Sequence, residues 1–416
     1  MPRRTFDTLL RTGVRVAAVT AAAQLTAAGG IMAVDHLRKL REPLSGEFPA
    51  TEPVDLDVHG SQMKVFTYGQ DLYEDMLAAI EGATRSVYFE TFIWKRDDTG
   101  RRFKEALEAA ARRGVDTYVV FDSWGNLNQG LHFYRFADLP HLHVRRFPLI
   151  RPGLLIGNMR QTGRDHRKLL VVDETTGYVG GYNIGDLYAT TWRDTHLRVT
   201  GPAVWELANA FVDFWNDHRT RRLPELPDPG AREWLAQIEA RSNTPHRMLF
   251  PVRGMYLDAL DRAVDTVDIT MAYFIPDREI LRALTSAAAR GVRVRVIIPH
   301  RTNHVLADWV SRPYYDDLLQ AGVELWLFKD AMVHSKTMSV DGRWTTIGTA
   351  NIDRMSLQGN FEVNLEVHDD GLAEHMARVF DTDLTNSMQL TLEEWRARGW
   401  WRRPLERLVR PLGPLL

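Results

Sequence analysis

The chain has 416 residues, 44% hydrophobic and 25% charged, so it has the length and composition to bury more than one core. Its net charge of −2 provides no global positive field of the kind nucleic acid demands. With no cysteine, disulfides and thiolate metal sites are excluded and stability must come from the core.

At the N-terminus, Arg3, Arg4, Arg11 and Arg15 precede an almost uncharged run from Ala17 to Val34. Its eighteen residues are at the lower limit for a membrane-spanning helix, and Ala, Thr and Gly insert less strongly than Leu and Ile. Three readings are open: an uncleaved anchor with its basic end in the cytoplasm, a cleaved export signal with a twin-arginine look at Arg3 and Arg4, or a soluble Ala-rich helix. We place this segment at residues 1–50, running into the Pro-rich linker REPLSGEFPATEP.

The pattern then alternates. QDLYEDMLAAIEGATR has helical spacing, SVYFETFIW is a buried strand run, FKEALEAAARRG is a helix stopped by Gly114, and VDTYVVFD is a second strand. The order recurs in MYLDALDRAVDT, VDITMAYFIP, REILRALTSAAARG and VRVRVIIP. The fold class expected is α/β, with two duplicated domains of mostly parallel sheet over residues 51–225 and 245–390, divided at the Pro-rich RRLPELPDPGAREW. Residues 391–416 form a Trp/Arg-rich tail.

Two blocks carry one constellation of polar residues. HRKLLVVDETTGYVGGYN begins at His166 and HSKTMSVDGRWTTIGTAN begins at His334. Lys168 and Lys336 follow their histidines by two, Asp173 and Asp341 by seven, Asn183 and Asn351 by seventeen, and the carboxylates Asp194 and Glu362 by twenty-eight. So many matches at equal spacing identify an internal duplication, and a His, Lys and Asn in each copy suggest one active site assembled from both halves.

Each His-x-Lys pair opens a strand-like run, so His166 and Lys168 share a face while Arg167 points away, and His334 and Lys336 likewise share a face apart from Ser335. Asp173 and Asp341 have odd parity and are read as fixing the turn, although they remain in the candidate set. A working histidine needs its second ring nitrogen held by an acceptor, and Asp194 and Glu362 are the candidates. Two lysines and two asparagines suit the non-bridging oxygens of a phosphodiester. One imidazole can attack phosphorus while the other moves protons, with no metal or cofactor. A zinc site is the rival use of paired histidines, but an adjacent ammonium repels a cation.

HRKLLVVD and HSKTMSVD fit the HxKxxxxD signature of the phospholipase D superfamily, present twice as in its lipid-acting members. Within it, FETFIW, GGYN, WRDTHLRVTGPAV and GTANIDRMSLQGNFEVN resemble bacterial cardiolipin synthases over residues 60–390. The resemblance implies transfer of a phosphatidyl group between phospholipids, phosphatidylglycerol giving cardiolipin and glycerol, with His166 as nucleophile and His334 as acid/base. It also implies a place at the bacterial cell membrane, or export if the N-terminal segment is cleaved. A phospholipase D acting on water, a phosphodiesterase-type nuclease and an inactive lipid-binding scaffold are the alternatives.

Two further segments suit an anionic phospholipid partner in a membrane, with no nucleic acid and no obligate protein partner expected. Between His143 and His166, Arg145, Arg146, Arg151, Arg160 and Arg164 interleave with Phe147, Leu149, Ile150, Leu154, Leu155 and Ile156, read either as a seat for an anionic headgroup above acyl chains or as an ordinary loop with snorkelling arginines. The tail sets Trp395, Trp400 and Trp401 among six arginines, and is read either as a membrane-surface element or as a structural tail.

Overall fold

The structure, a computed structural model, describes residues 22–24, 26–130, 132–150, 163–230, 235–399, 402–409 and 411. In the first half, helix Gly69–Gly82, strand Ser86–Thr91, helix Asp98–Arg112 and strand Asp116–Asp122 follow in the predicted order. The second half repeats them as Pro251–Arg262, Thr266–Met271, Arg278–Ala289 and Arg293–Pro299. Helix Asp98–Arg112 begins ahead of the expected Phe103 because the Asp97 carboxylate accepts the Gly100 N–H at 2.9 Å. Its apolar stripe of Phe103, Leu107, Ala110 and Ala111 then faces the sheet.

Each half contributes one eight-stranded sheet. Across the first, the order is Asp55–Val58, Ser61–Phe66, His196–Thr200, Thr176–Gly180, Leu169–Val172, Ser86–Thr91, Asp116–Asp122 and Leu142–Phe147. Across the second it is Ile238–Ser242, Val363–His368, Trp344–Gly348, Lys336–Val340, Thr266–Met271, Arg293–Pro299, Glu324–Phe328 and Ser387–Leu390. The expectation of mostly parallel sheets is corrected: in each, two neighbouring pairs are parallel and five antiparallel. Only strands joined by long connections, such as Ser86–Thr91 and Asp116–Asp122 with a helix between them, pair in parallel. The motif strands return through tight turns at Asp173 and Asp341, and a tight turn obliges antiparallel pairing.

The two sheets share a core. Leu169, Val179 and Leu197 of the first pack in one buried cluster with Ile347, Val363 and Leu365 of the second, with helices Val204–His218 and Asp370–Thr385 included in it. Buried Arg193 adds a bidentate ion pair across the halves, with both nitrogens 2.8 Å from the Asp383 carboxylate.

A helix over residues 26–41 and the C-terminal helix Arg402–Val409 pack on the second half through Ile31, Val305, Val310 and Val409. Among the described residues no helix is long and apolar enough to cross a membrane, and residues 17–21 and 25 of the candidate anchor lie outside them. Trp395 of the tail is buried beside Tyr315, with the Arg398 guanidinium 3.5 Å from its ring centre, so this part of the tail packs on the fold. Trp400, Trp401, Arg151 and Arg160 lie outside the described residues.

Asp173 and Asp341 occupy left-handed turn positions with φ of 54° and 53°. Their carboxylates accept backbone N–H groups at the start of the neighbouring strand: Thr84, Arg85 and Ser86 at 2.7–2.9 Å, and Val264, Asp265 and Thr266 at 2.8–3.0 Å. Asp173→Asn or Asp341→Asn should therefore act on stability, removing about 1–3 kcal/mol. Thermal unfolding should show a melting temperature lower by several degrees, while the folded fraction keeps most of its activity.

Candidate active site

His166 and His334 stand just before the strands Leu169–Val172 and Lys336–Val340. Each is tied by its backbone to the opposite half. The His166 N–H donates to the Phe361 carbonyl at 3.1 Å, beside a parallel bridge between Asp165 and Phe361. At the related position, Trp192–Arg193 pairs in parallel with Met332–Val333, and the His334 N–H donates to the Arg193 carbonyl at 2.6 Å. Phe361 and Arg193 immediately precede Glu362 and Asp194, so each tie carries a carboxylate to the other half's histidine.

The pairs are thus crossed. His166 Nδ1 lies 3.0 Å from both oxygens of Glu362, and His334 Nδ1 lies 2.6 Å from Asp194 Oδ2. With Nδ1–H donated to a carboxylate, Nε2 is the nitrogen left to meet a substrate. The two cradles differ at two positions, the carboxylate and the residue packed against it. Gly181 leaves room for the short Asp194, since a Cβ there would lie 2.1 Å from Asp194 Oδ1. Thr349 stands at the equivalent place in the second half, and its hydroxyl donates to Glu362 Oε2 at 2.6 Å.

All of these groups are buried, and burial is the first cause of their shifted proton affinities. It drives His166 well below the usual histidine range and His334 down to about 3, with Lys336 adding to both. Burial also lowers Lys168 to about 7 and Lys336 to about 8, against an ordinary 10.5. It raises Glu362 to about 8, with Lys168 opposing. For Asp194 burial acts upward too, but Lys336 and His334 outweigh it and hold the carboxyl below its usual value. Asp194 is the ionised partner and Glu362 the readily protonated one. The influence of Lys336 on His166, and of Lys168 on His334, places both motifs at one site.

Lys168 and His166 share a face as parity predicts: Lys168 Nζ lies 5.4 Å from the centre of the Phe92 ring, which packs edge-on against His166. Arg167 points away into a buried ion pair with Glu90 at 2.7 Å. Ser335 faces Arg193 at 3.2 Å. Asn183 and Asn351 are both buried; Ile93 N–H fixes the Asn183 amide oxygen at 3.0 Å, whereas the Asn351 oxygen has no partner among the described residues. Asp173 and Asp341 hold strand starts and touch neither histidine, which corrects their place in the candidate catalytic set. Thr349, Trp192, Tyr273, Arg193 and Asp383 were missed. Trp192 and Tyr273 flank His334 with ring centres 5.1 and 6.1 Å away. The one available signal was Thr349 breaking the repeat opposite Gly181.

Residues 76–215 and 256–384 match the family model described as cardiolipin synthase, PLD-like domain. The chain belongs to the cardiolipin synthase family. It is 32% identical to the major cardiolipin synthase ClsA of Bacillus subtilis, over 86% of this chain and 76% of that one. It is 31% identical to a cardiolipin synthase of Staphylococcus aureus, over 86% of this chain and 74% of the relative. The crystal structure of phosphatidylserine synthase from Haemophilus influenzae shares the fold, with a TM-score of 0.67 at 14% identity, covering 89% of this chain and 96% of that one.

Two outcomes follow from this geometry. Gly181→Ala should push Asp194 off His334 and cut turnover by about 10–100-fold, with the melting temperature as control. Thr349→Ala removes one hydrogen bond without crowding Glu362 and should cost less, about tenfold at most. The second outcome concerns pH. A phosphodiester is held by the ammonium forms, and these lose their protons as pH rises through about 7 for Lys168 and about 8 for Lys336. Hence kcat/KM for an anionic phosphodiester should fall above that window. Bound phosphate draws the protons back, so kcat should fall less. A kcat/KM profile flat up to the ordinary lysine range would contradict the assignment.

Proposed function

We propose that this protein is a phosphatidyltransferase that joins two phosphatidylglycerols into cardiolipin and releases glycerol, working at a membrane surface. The observation that carries the proposal is the pair of crossed His–carboxylate contacts at 3.0 and 2.6 Å, with two buried lysines beside them. The family's name supplies the substrate class.

In the proposed cycle His166 Nε2 attacks phosphorus, a P–N bond forms, and the P–O bond to glycerol breaks. His334, protonated once the anionic phosphodiester is bound, gives its proton to the departing alkoxide, then takes the proton of the acceptor hydroxyl as its oxygen attacks phosphorus and the P–N bond breaks. This division is supported by the ionised Asp194, which can stabilise the imidazolium that an acid/base must carry. Lys168, Lys336, Asn183 and Asn351 are assigned to the non-bridging oxygens, where charge builds in the transition state.

The test is product analysis with phosphatidylglycerol in detergent, with and without EDTA. Cardiolipin and glycerol in equal amounts, undiminished by EDTA, are expected; phosphatidic acid alone would replace the proposal with hydrolysis, and metal-dependent activity would overturn the two-histidine cycle. Labelled lipid should leave no adduct on His166→Ala but a slowly formed, persistent one on His334→Asn.

A further inference from the structure

A transferase between two phospholipids faces a requirement that a hydrolase does not. While the first phosphate occupies the two lysines, the acceptor lipid carries a second phosphate only a glycerol away from its attacking hydroxyl. Two like charges so close repel each other unless the second is neutralised in its own place.

Beside His166 there is such a place. The turn after strand Asp116–Asp122 is clamped to the motif by Asp122, whose carboxylate accepts the N–H groups of Trp124 at 2.6 Å, Gly125 at 3.2 Å and Asp165 at 3.1 Å. Asn126 braces the same turn, donating to the carbonyls of Asp122 at 2.7 Å and Phe92 at 2.9 Å. Two arginines converge on it. Arg146 Nε donates to the Ser123 hydroxyl at 2.9 Å, and the Arg164 guanidinium lies 5.2 Å from the centre of the Trp124 ring. Arg164 donates to the carbonyls of Pro148 at 3.1 Å and Leu149 at 2.7 Å, so its head is held in position by neutral groups. Neither arginine has a carboxylate at ion-pair distance among the described residues; Asp122, on which the Arg164 charge acts, is engaged by the three amides. The cations that line a cavity with Trp192 differ: Arg38 and Lys39 pair with Asp35, and Arg301 pairs with Glu42. Trp124 is 56% exposed and Ile150 62%, an apolar rim at a cationic pair.

We infer that Arg146, Arg164 and Trp124 form the seat of the acceptor lipid, with the arginines on its phosphate and Trp124 at the headgroup level beneath its acyl chains. The inference rests on the transfer reaction proposed above. The acceptor oxygen attacks phosphorus in line with the P–N bond and opposite it, beside His334: its O–P bond forms as the P–N bond breaks, its proton passes to His334, and its glycerol carries the second phosphate to the arginines.

The experiment is a partition measurement. The enzyme is supplied with phosphatidylglycerol in mixed micelles plus ethanol, a soluble acceptor without phosphate, and the ratio of cardiolipin to phosphatidylethanol is read. In Arg146→Gln, Arg164→Gln and the double variant this ratio should fall about tenfold or more, as befits a lost charge-assisted contact. Because both products drain one phosphoenzyme, a variant that is merely less well folded loses both equally. An unchanged ratio, whether total activity falls or not, would overturn the inference and leave the patch as a general membrane contact or none. If wild-type enzyme makes no cardiolipin at all, the proposed function itself fails, a result separate from the behaviour of the variants.

Discussion

Each imidazole in this site is oriented by a carboxylate that belongs to the other half of the chain, and most of the architecture follows from that exchange. His166 leans on Glu362 and His334 on Asp194. A single half would hold an imidazole with no acceptor and a buried carboxylate with no partner, an arrangement that is costly at both ends. The shared core and the Arg193–Asp383 pair keep the halves in register. Arg193 does so from the residue whose carbonyl receives the His334 N–H, so the bolt and the site are adjacent in sequence as well as in space.

The exchange is symmetric in backbone and asymmetric in chemistry. Equivalent ties carry Asp194 and Glu362 into place, but the longer Glu362 meets a threonine hydroxyl where Asp194 meets the open face of a glycine. Asp194 stays ionised while Glu362 is raised to about 8. A cycle with one nucleophile and one proton carrier needs two environments, and a duplicated fold supplies them by two differing positions, Asp194 against Glu362 and Gly181 against Thr349. With both lysines lowered close to neutrality, the empty site does not bury two full uncompensated cations, and an anionic phosphodiester restores their charge as it binds.

Much of this was legible before the structure. The helices with long apolar stripes, such as Asp98–Arg112 and Arg278–Ala289, stood out by period, and the parity of His166, Arg167 and Lys168 placed Arg167 away from the other two. The odd parity of Asp173 and Asp341 pointed to the turn they hold. The antiparallel majority of the sheets was not legible, because short strands such as His196–Thr200 and Glu324–Phe328 carry too little pattern to reveal direction. The crossing of Asp194 and Glu362 was also hidden. Equal spacing says that two copies are alike, but not whether a side chain serves its own copy or the other. The tail left two readings open for a related reason: tryptophan beside arginine suits a membrane surface and equally the buried stack of Arg398 on Trp395.

The crossing itself can be measured by the phosphoenzyme formed in carboxylate variants, using phosphorus-labelled phosphatidylglycerol and a rapid denaturing quench that avoids acid. If Glu362 serves the nucleophile His166, Glu362→Gln should abolish or strongly slow adduct formation. If Asp194 serves the proton carrier His334, Asp194→Asn should let the adduct form slowly and then persist, because neither the leaving nor the attacking oxygen is assisted. The reverse result, with the adduct lost in Asp194→Asn and persisting in Glu362→Gln, would contradict the crossed arrangement.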